Sequence, residues 1–578
     1  AIWAQATLAG TAFAGGIISR CQMTFAPLAA LVAASFAVVS AGLPVGYHPV
    51  FVAGPLLAQN LEIKNSVPGS LCNTRGEFEW LWGNPNFTKI QALCLLEGLA
   101  LGGFDAEEGL SVPKEHIEVR VRGSLNGTGF GGFGSFFGRG LVEGEAGHLV
   151  PMLRAHGYVE DESVFEVRYD WRLSVNDWKL DVFPLTQQRI ENAVRKFGGQ
   201  RAVLTGLSMA GPFLHSFLSW VGSQDPTWTS RHVHAFAPVG GPWNGAVMAL
   251  SAVLGSALQT FSSEGLCPRC NPPRKSKDMP DPASRSIIDQ FLAWLSSVTR
   301  GMVDEVLGQV VHTMPSMYYM STGLDYSRDP PVDRNVLALE AGWSPLACHS
   351  PTSAACGAES TRDGTRFDDK GFLNTSQCAE CYQSGSTSAC FPGFDLASQG
   401  FNKSLCCRRL NCKMRTLKAS EIPELLHNIG RHNEGAMMKF ALQVVTTTDP
   451  GVPVHCILSH NVQTFSYLYS NTSADLDQES IVLDDGDQTV DALSLEVCTR
   501  WPSTVKTYRV PGVRHGSMYD IKQVNDIIVA LATNDTDAWS AWMEPKISEL
   551  IYTSNKSVAP PEELLLADPQ GGVVELLV

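Results

Sequence analysis

The twenty residues RAVLTGLSMAGPFLHSFLSW, 201–220, constrain this chain more than any other stretch. Val203 and Leu204 belong to a short apolar run that reads as a buried strand, while Phe213, Leu214, Phe217 and Leu218 recur at helical spacing. Between them, Gly206-Leu207-Ser208-Met209-Ala210-Gly211 must turn a strand into a helix within a few residues. So tight a turn needs small residues two places before and two places after the serine, and Gly206 and Ala210 stand there. A serine at the apex of a strand–turn–helix has its hydroxyl presented as a nucleophile. The competing reading is an ordinary helix-capping serine.

A catalytic serine needs a base, and the base needs a carboxylate to orient it. In the α/β-hydrolase order these follow the serine as Asp and then His. SIVLDDGDQTV, 480–490, supplies a strand ending in an acidic turn, with Asp484, Asp485 and Asp487 available. TYRVPGVRHGSMYDI, 507–521, supplies a strand, a turn and His515 just before a last helix. The 28 residues from Asp487 to His515 leave room for one helix and one strand between strand-end loops. Each residue alone fits a blander role, Asp487 shaping a turn and His515 capping a helix. All three at strand ends, in the required order, favour a Ser208–Asp487–His515 triad.

The rest of the chain has the rhythm of an α/β protein with a parallel sheet. HPVFVAG (48–54), VFEVRYD (164–170), RAVLTG (201–206) and HVHAFAPVGGPWNG (232–245) read as strands or strands running into turns. PVHCILSH (453–460), SIVLDD (480–485) and TVKTYRV (504–510) follow, and a final helix puts Ile521, Val524, Ile528 and Leu531 on one face. Residues 251–435 break the rhythm and read as a cap, two looped stretches around a helical one at 287–311. The expected division is 1–44 signal or anchor, 45–250 first part of the core, 251–435 cap, 436–550 second part of the core and 551–578 tail. The chain shows no internal repeat.

Composition narrows the partners. Of 578 residues, 44% are apolar and 17% charged, the balance of a packed globular protein. A net charge of −15 argues against nucleic acid as the main partner, since phosphates need clustered Lys and Arg. It leaves lipid surfaces open. Residues 25–43 are 19 residues without a charge. They read as a signal peptide, with Val39 and Ala41 at the cleavage rule and Leu43-Pro44 opening the mature chain. The alternative is an uncleaved anchor just long enough to span a bilayer. Both place the protein outside the cell or in an endomembrane lumen. Fourteen cysteines besides Cys21, and sequons at Asn86, Asn126, Asn374, Asn402, Asn471, Asn534 and Asn555, agree with that compartment. Cys267-Pro-Arg-Cys270 and Cys378-Ala-Glu-Cys381 could suggest zinc. Cys348, Cys356, Cys390, Cys406, Cys407 and Cys412 crowd the same region, so a disulfide-stapled insertion is the better reading and no metal is expected.

With these blocks in view, the chain resembles the lecithin:cholesterol acyltransferase family. The resemblance rests on YDWR (169–172), IVLDDGDQTVDALSLEVCTRW (481–501), RHGSMYDI (514–521), HPVFVAGPLLAQNLE (48–62), APVGGPW (237–243) and PSMYY (315–319), and covers 48–250 and 440–535. It implies an α/β-hydrolase fold, a mostly parallel sheet flanked by helices, with a large Cys-rich cap or lid insertion. It implies Ser208 as nucleophile, His515 as proton shuttle and Asp487, the second Asp of Asp-Gly-Asp, as orienting acid. Backbone N–H groups of Leu56 and Met209 would form the oxyanion hole. Disulfides Cys72–Cys94 and Cys456–Cys498 carry over as well. Between the first pair, in FEWLWGNPNF, Trp80 and Trp82 are expected to be exposed on a short lipid-gripping loop, with packing on the core as the alternative. A lid is expected at about 246–285. FGGFGSFFG, 130–138, could grip lipid in the same way or simply form a floppy or tightly turned loop, and it is left unassigned; the Cys-rich 344–415 has no match in this resemblance.

The implied reaction forms an acyl-serine from a glycerophospholipid at a membrane or lipoprotein-like surface, with no metal or organic cofactor. The acyl chain then passes to a sterol, to diacylglycerol or to another alcohol, with phospholipase A activity alongside. Two alternatives stand: a phospholipase or other lipase that uses only water as acceptor, and a catalytically silent hydrolase fold that binds lipid or a partner through its insertion.

Overall fold

Apolar runs without alternation must be buried on both faces, and the most continuous ones in this chain lie side by side in one sheet. The structure is a computed structural model. It describes residues 44–70, 72–83, 89–127, 130, 148–256, 310–321, 323–325, 328, 331–340, 414–428, 430–445, 447–470 and 478–551. The signal-like segment, the paired cysteines of CPRC and CAEC, most of 287–311, nearly all of 130–138 and the tail beyond 551 lie outside these residues.

In chain order the strands are β1 (Val50–Ala53), β2 (Leu61–Asn65), β3 (Glu79–Trp82), β4 (Gly103–Asp105), β5 (Leu110–Val112) and β6 (Ile117–Val121). Next come β7 (Val164–Val167), β8 (Ala202–Leu207), β9 (Val233–Val239), β10 (Asn335–Glu340) and β11 (Met414–Lys418). The last are β12 (Val454–His460), β13 (Thr464–Ser470), β14 (Gln478–Asp484) and β15 (Thr504–Pro511).

The central sheet has the order β15-β12-β9-β8-β1-β7, and every pair in it is parallel. From β1 the chain steps outward to β7, then returns to the other side of β1 and builds β8, β9, β12 and β15 in sequence. That reversal leaves a crevice beyond the carboxyl ends of β1 and β8, where open α/β sheets bind ligands. Helices Val182–Lys196 and Ala210–Gln224, and Leu149–Ala155 with Lys522–Ala532, flank the sheet. On Lys522–Ala532, Val524, Ile528 and Leu531 are buried, as the spacing predicts, and Ile521 is buried at its N-cap.

Two further sheets adjust the expected plan. β3-β2-β6 is antiparallel, and it holds the 72–94 excursion against the core. The order β11-β10-β13-β14 joins two strands of the expected cap to two of the expected core. The anticipated boundary at 435 falls inside the helix His432–Val444. β14, read as part of the core's strand series, pairs in this second sheet, so the acidic turn after it reaches the crevice from the side. Among the described residues no helix is long and apolar enough to cross a membrane. Asn126 and Asn534 are exposed; the other five sequons lie outside the described residues.

Candidate active site

The turn after β8 has the geometry that the small residues around Ser208 anticipate. Ser208 sits at φ +61, left-handed space that a non-glycine residue enters only when its surroundings hold it there. Its N–H donates to the Val239 carbonyl at 2.9 Å, and its carbonyl accepts from the Gly211 N–H at 2.9 Å. A methyl group on Gly206 would stand 2.6 Å from the Ala210 Cβ, so only glycine lets strand and helix approach this closely.

Asp487 follows β14 and is fully buried. Its Oδ1 accepts from the backbone N–H groups of Thr489 at 3.0 Å and Val490 at 2.7 Å. Its Oδ2 faces His515 Nδ1 at 2.5 Å. The backbone repeats the link, with the His515 N–H donating to the Asp487 carbonyl at 2.8 Å. The carboxylate is thus pinned before it meets the ring, and it selects the tautomer with hydrogen on Nδ1 and a free lone pair on Nε2. Gly240 (φ +56), at the end of β9, lies against this pair.

Ser208 and His515 line one cavity at the crevice, together with Leu57, Leu207, Met248, Ala249, Met317 and Met320. The wall is almost wholly apolar, and Met317 and Met320 come from the PSMYY helix and its C-cap. His515 Nε2 is buried with no hydrogen-bond partner. The structure therefore brings the serine and the imidazole to one cavity without a hydrogen bond between them. Such links are often loose before substrate binds. Asp484 and Asp485, the other acids of the turn, bond to backbone: Asp484 Oδ1 accepts the Asp485 N–H at 2.8 Å, and Asp485 Oδ1 accepts the Asn461 N–H at 2.5 Å and the Gly486 N–H at 2.8 Å.

Leu56 follows β1 and, like Met209, borders the crevice from a buried position. Among the described residues neither backbone N–H has a hydrogen-bond acceptor. Cys72 and Cys94 are disulfide-bonded with Cα atoms 5.4 Å apart, and Cys456 and Cys498 with Cα atoms 5.9 Å apart. Among the described residues no group of His, Cys, Asp and Glu could hold a metal ion.

Trp82 does not have the expected exposure. It lies on β3, is 2% exposed, meets Trp171 edge-on at 5.5 Å and donates from Nε1 to the Leu57 carbonyl at 2.7 Å. Pairing of β3 with β2 turns this side chain inward, and its indole N–H finds the partner that burial demands. Trp80 is half-buried, with the Arg122 guanidinium 3.9 Å over its ring.

YDWR is a set of tethers. Tyr169 Oη donates to the Gly54 carbonyl at 2.5 Å and Trp171 Nε1 to the Gln59 carbonyl at 3.0 Å. Arg172 grips Asp170 and also donates to the Gly98 and Leu99 carbonyls. Burial pushes the Tyr169 phenol well above its ordinary range, so it stays a donor. Sequence reasoning also missed Arg334, whose guanidinium forms a buried bidentate pair with Asp491, four residues beyond Asp487. Nothing in the local sequence signals that contact.

Known proteins resemble this chain over part of its length. The family model described as Lecithin:cholesterol acyltransferase matches residues 78–261 and 409–516, about half of the chain. Phospholipid:diacylglycerol acyltransferase 1 of Arabidopsis thaliana is 27% identical over 217 residues, 36% of this chain and 30% of that protein. The human Lysosomal phospholipase A and acyltransferase is 27% identical over 221 residues, 36% of this chain and 50% of that protein. Phosphatidylcholine-sterol acyltransferase of Oryctolagus cuniculus is 26% identical over 207 residues, 35% of this chain and 44% of that protein. The matched region thus spans half or less of the length of these relatives. Its parallel sheet and matched residues identify the chain as a member of the lecithin:cholesterol acyltransferase family.

Proposed function

We propose that this protein is a serine acyltransferase. It would move a fatty acyl chain from a glycerophospholipid to a lipid alcohol, with phospholipase A activity when water takes the alcohol's place. One observation carries the reading: a serine at a left-handed elbow and a carboxylate-held imidazole open onto the same apolar cavity.

In the first half-reaction Ser208 Oγ attacks the ester carbonyl while His515 Nε2 takes its proton, and Asp487 stabilises the imidazolium. The N–H groups of Leu56 and Met209 receive the tetrahedral oxyanion. His515 then protonates the departing lysophospholipid oxygen, leaving an acyl-serine. In the second half His515 deprotonates the acceptor hydroxyl, which attacks that ester and frees Ser208. A sterol gives a steryl ester, diacylglycerol gives triacylglycerol and water gives a fatty acid. The apolar wall favours a long acyl chain and disfavours water. The names of the relatives, which include a phospholipid:diacylglycerol acyltransferase and a phosphatidylcholine-sterol acyltransferase, support the same chemistry. The apolar segment 25–43, the sequons and the disulfides favour a secreted or luminal site of action at a lipid surface.

The test uses the protein and its Ser208→Ala variant on phosphatidylcholine vesicles bearing labelled acyl chains, with sterol or diacylglycerol added in turn. Label in a neutral lipid ester, lost in the variant, establishes the transferase and names its acceptor. Label only in free fatty acid makes it a phospholipase, and turnover independent of Ser208 refutes the mechanism.

A further inference from the structure

The segment between β1 and β2 carries Leu56, and three side chains from elsewhere in the chain hold its carbonyls. Tyr169 Oη reaches Gly54, Trp82 Nε1 reaches Leu57 and Trp171 Nε1 reaches Gln59. The peptide bearing the Leu56 N–H lies between two of these held carbonyls. Leu57 itself sits at φ +67, a left-handed conformation that a leucine keeps only under outside constraint. The donors are themselves braced. Trp82 meets Trp171 edge-on at 5.5 Å, and Tyr169 stacks at 4.0 Å on Phe213, in the helix that starts beyond Ser208.

We infer that Trp82 is a positioning residue: its indole N–H fixes the Leu57 carbonyl and so aims the Leu56 N–H at the oxyanion. The inference rests on the proposed role of Leu56. It also gives the excursion closed by Cys72–Cys94 a task inside the protein, because β3 delivers Trp82 to the loop. A donor serves catalysis only when it already points to where charge develops, so a loosened loop costs transition-state binding and spares ground-state binding.

The test compares full-length Trp82→Phe, which keeps a ring and loses the N–H, with Trp228→Phe. Trp228 is also 2% exposed and donates to Glu191 at 2.8 Å, outside the site, so it reports the cost of losing a buried indole bond alone. Rates are measured on a soluble p-nitrophenyl ester and on phosphatidylcholine vesicles, with a boronic acid that forms a tetrahedral serine adduct as inhibitor. Trp82→Phe is expected to lower kcat roughly ten- to hundredfold on both substrates, with KM within about twofold and the boronate weakened in parallel. Trp228→Phe should keep its kcat. A loss confined to vesicles, with weaker vesicle binding, would make Trp82 a lipid contact and overturn the inference. So would a loss no larger than that of Trp228→Phe. An inactive Ser208→Ala beside an unimpaired Trp82→Phe overturns the inference alone, whereas a fully active Ser208→Ala overturns the underlying mechanism and the inference with it.

Discussion

Gly240→Ala should lower kcat in addition to costing a little stability. Gly240 sits at φ +56, and a Cβ there would lie 3.3 Å from Asp487 Oδ2, 3.3 Å from His515 Nδ1 and 3.4 Å from His515 Cε1. The left-handed backbone costs an alanine about 1 kcal/mol. The contacts are too tight for an ordinary methyl group, so a neighbour must yield by a few tenths of an ångström. Asp487 is held by two N–H groups on Oδ1, which leaves the imidazole as the partner that tilts. Misplacement by 1 Å can cost about a hundredfold in rate, so a few tenths should cost roughly three- to tenfold in kcat.

Gly198→Ala is the matched control, because Gly198 has φ +64 and an added Cβ would meet nothing within 4 Å. It should lose the same ~1 kcal/mol and no activity. Denaturant unfolding reads stability, and turnover of a soluble ester reads kcat. Unchanged kcat in Gly240→Ala, or an equal loss in Gly198→Ala, would refute the reasoning.

Arg334→Met strips Asp491 of its buried counter-ion and should cost roughly 3 kcal/mol, read as a lower denaturant midpoint; Asp491→Asn in the same chain should recover most of it, and failure to recover would show that the pair is not the cause. His215 is buried, and desolvation pushes it down to about 4 from 6.5. The unfolded chain therefore binds that proton first, and stability present above pH 6.5 is lost as the pH falls toward 4. The gap, at 1.36 kcal/mol per pH unit, makes the loss ~3 kcal/mol. Burial also lowers His234 and His455, so His215→Gln should make the denaturant midpoint fall less steeply over this region by about that share, and an unchanged profile would refute the assignment. Replacing Cys72 and Cys94 with serine should cost about 3 kcal/mol and also lower kcat on a soluble ester; intact kcat would separate the excursion from the chemistry.

What the sequence reveals follows the range over which each feature is determined. The elbow is local: Gly206, Ser208 and Ala210 lie within five residues, and steric limits on one turn constrain them. The central strands are legible because burial on both faces leaves an unbroken apolar run. The second sheet is not, because pairing of β10 with β13 depends on chain more than a hundred residues away. Trp82 shows the same limit. FEWLWG reads equally well as a loop offering aromatic rings to a lipid surface, and only the carbonyl of Leu57, 25 residues earlier, makes its ring a buried donor.

YDWR lies between these cases. As letters it marks a family, yet it contains no nucleophile, base or obvious ligand. Its physical content is that adjacent side chains tie down different elements: Tyr169 and Trp171 the loop after β1, and Arg172 the end of the helix Lys89–Leu99. The segment after β7 can do this because β7 neighbours β1 in the sheet. The residues proposed to perform the chemistry sit at strand ends and can be found by local pattern. Those proposed to aim them bond to distant backbone carbonyls, so these contacts become visible only when the topology places β7, β1 and β3 together.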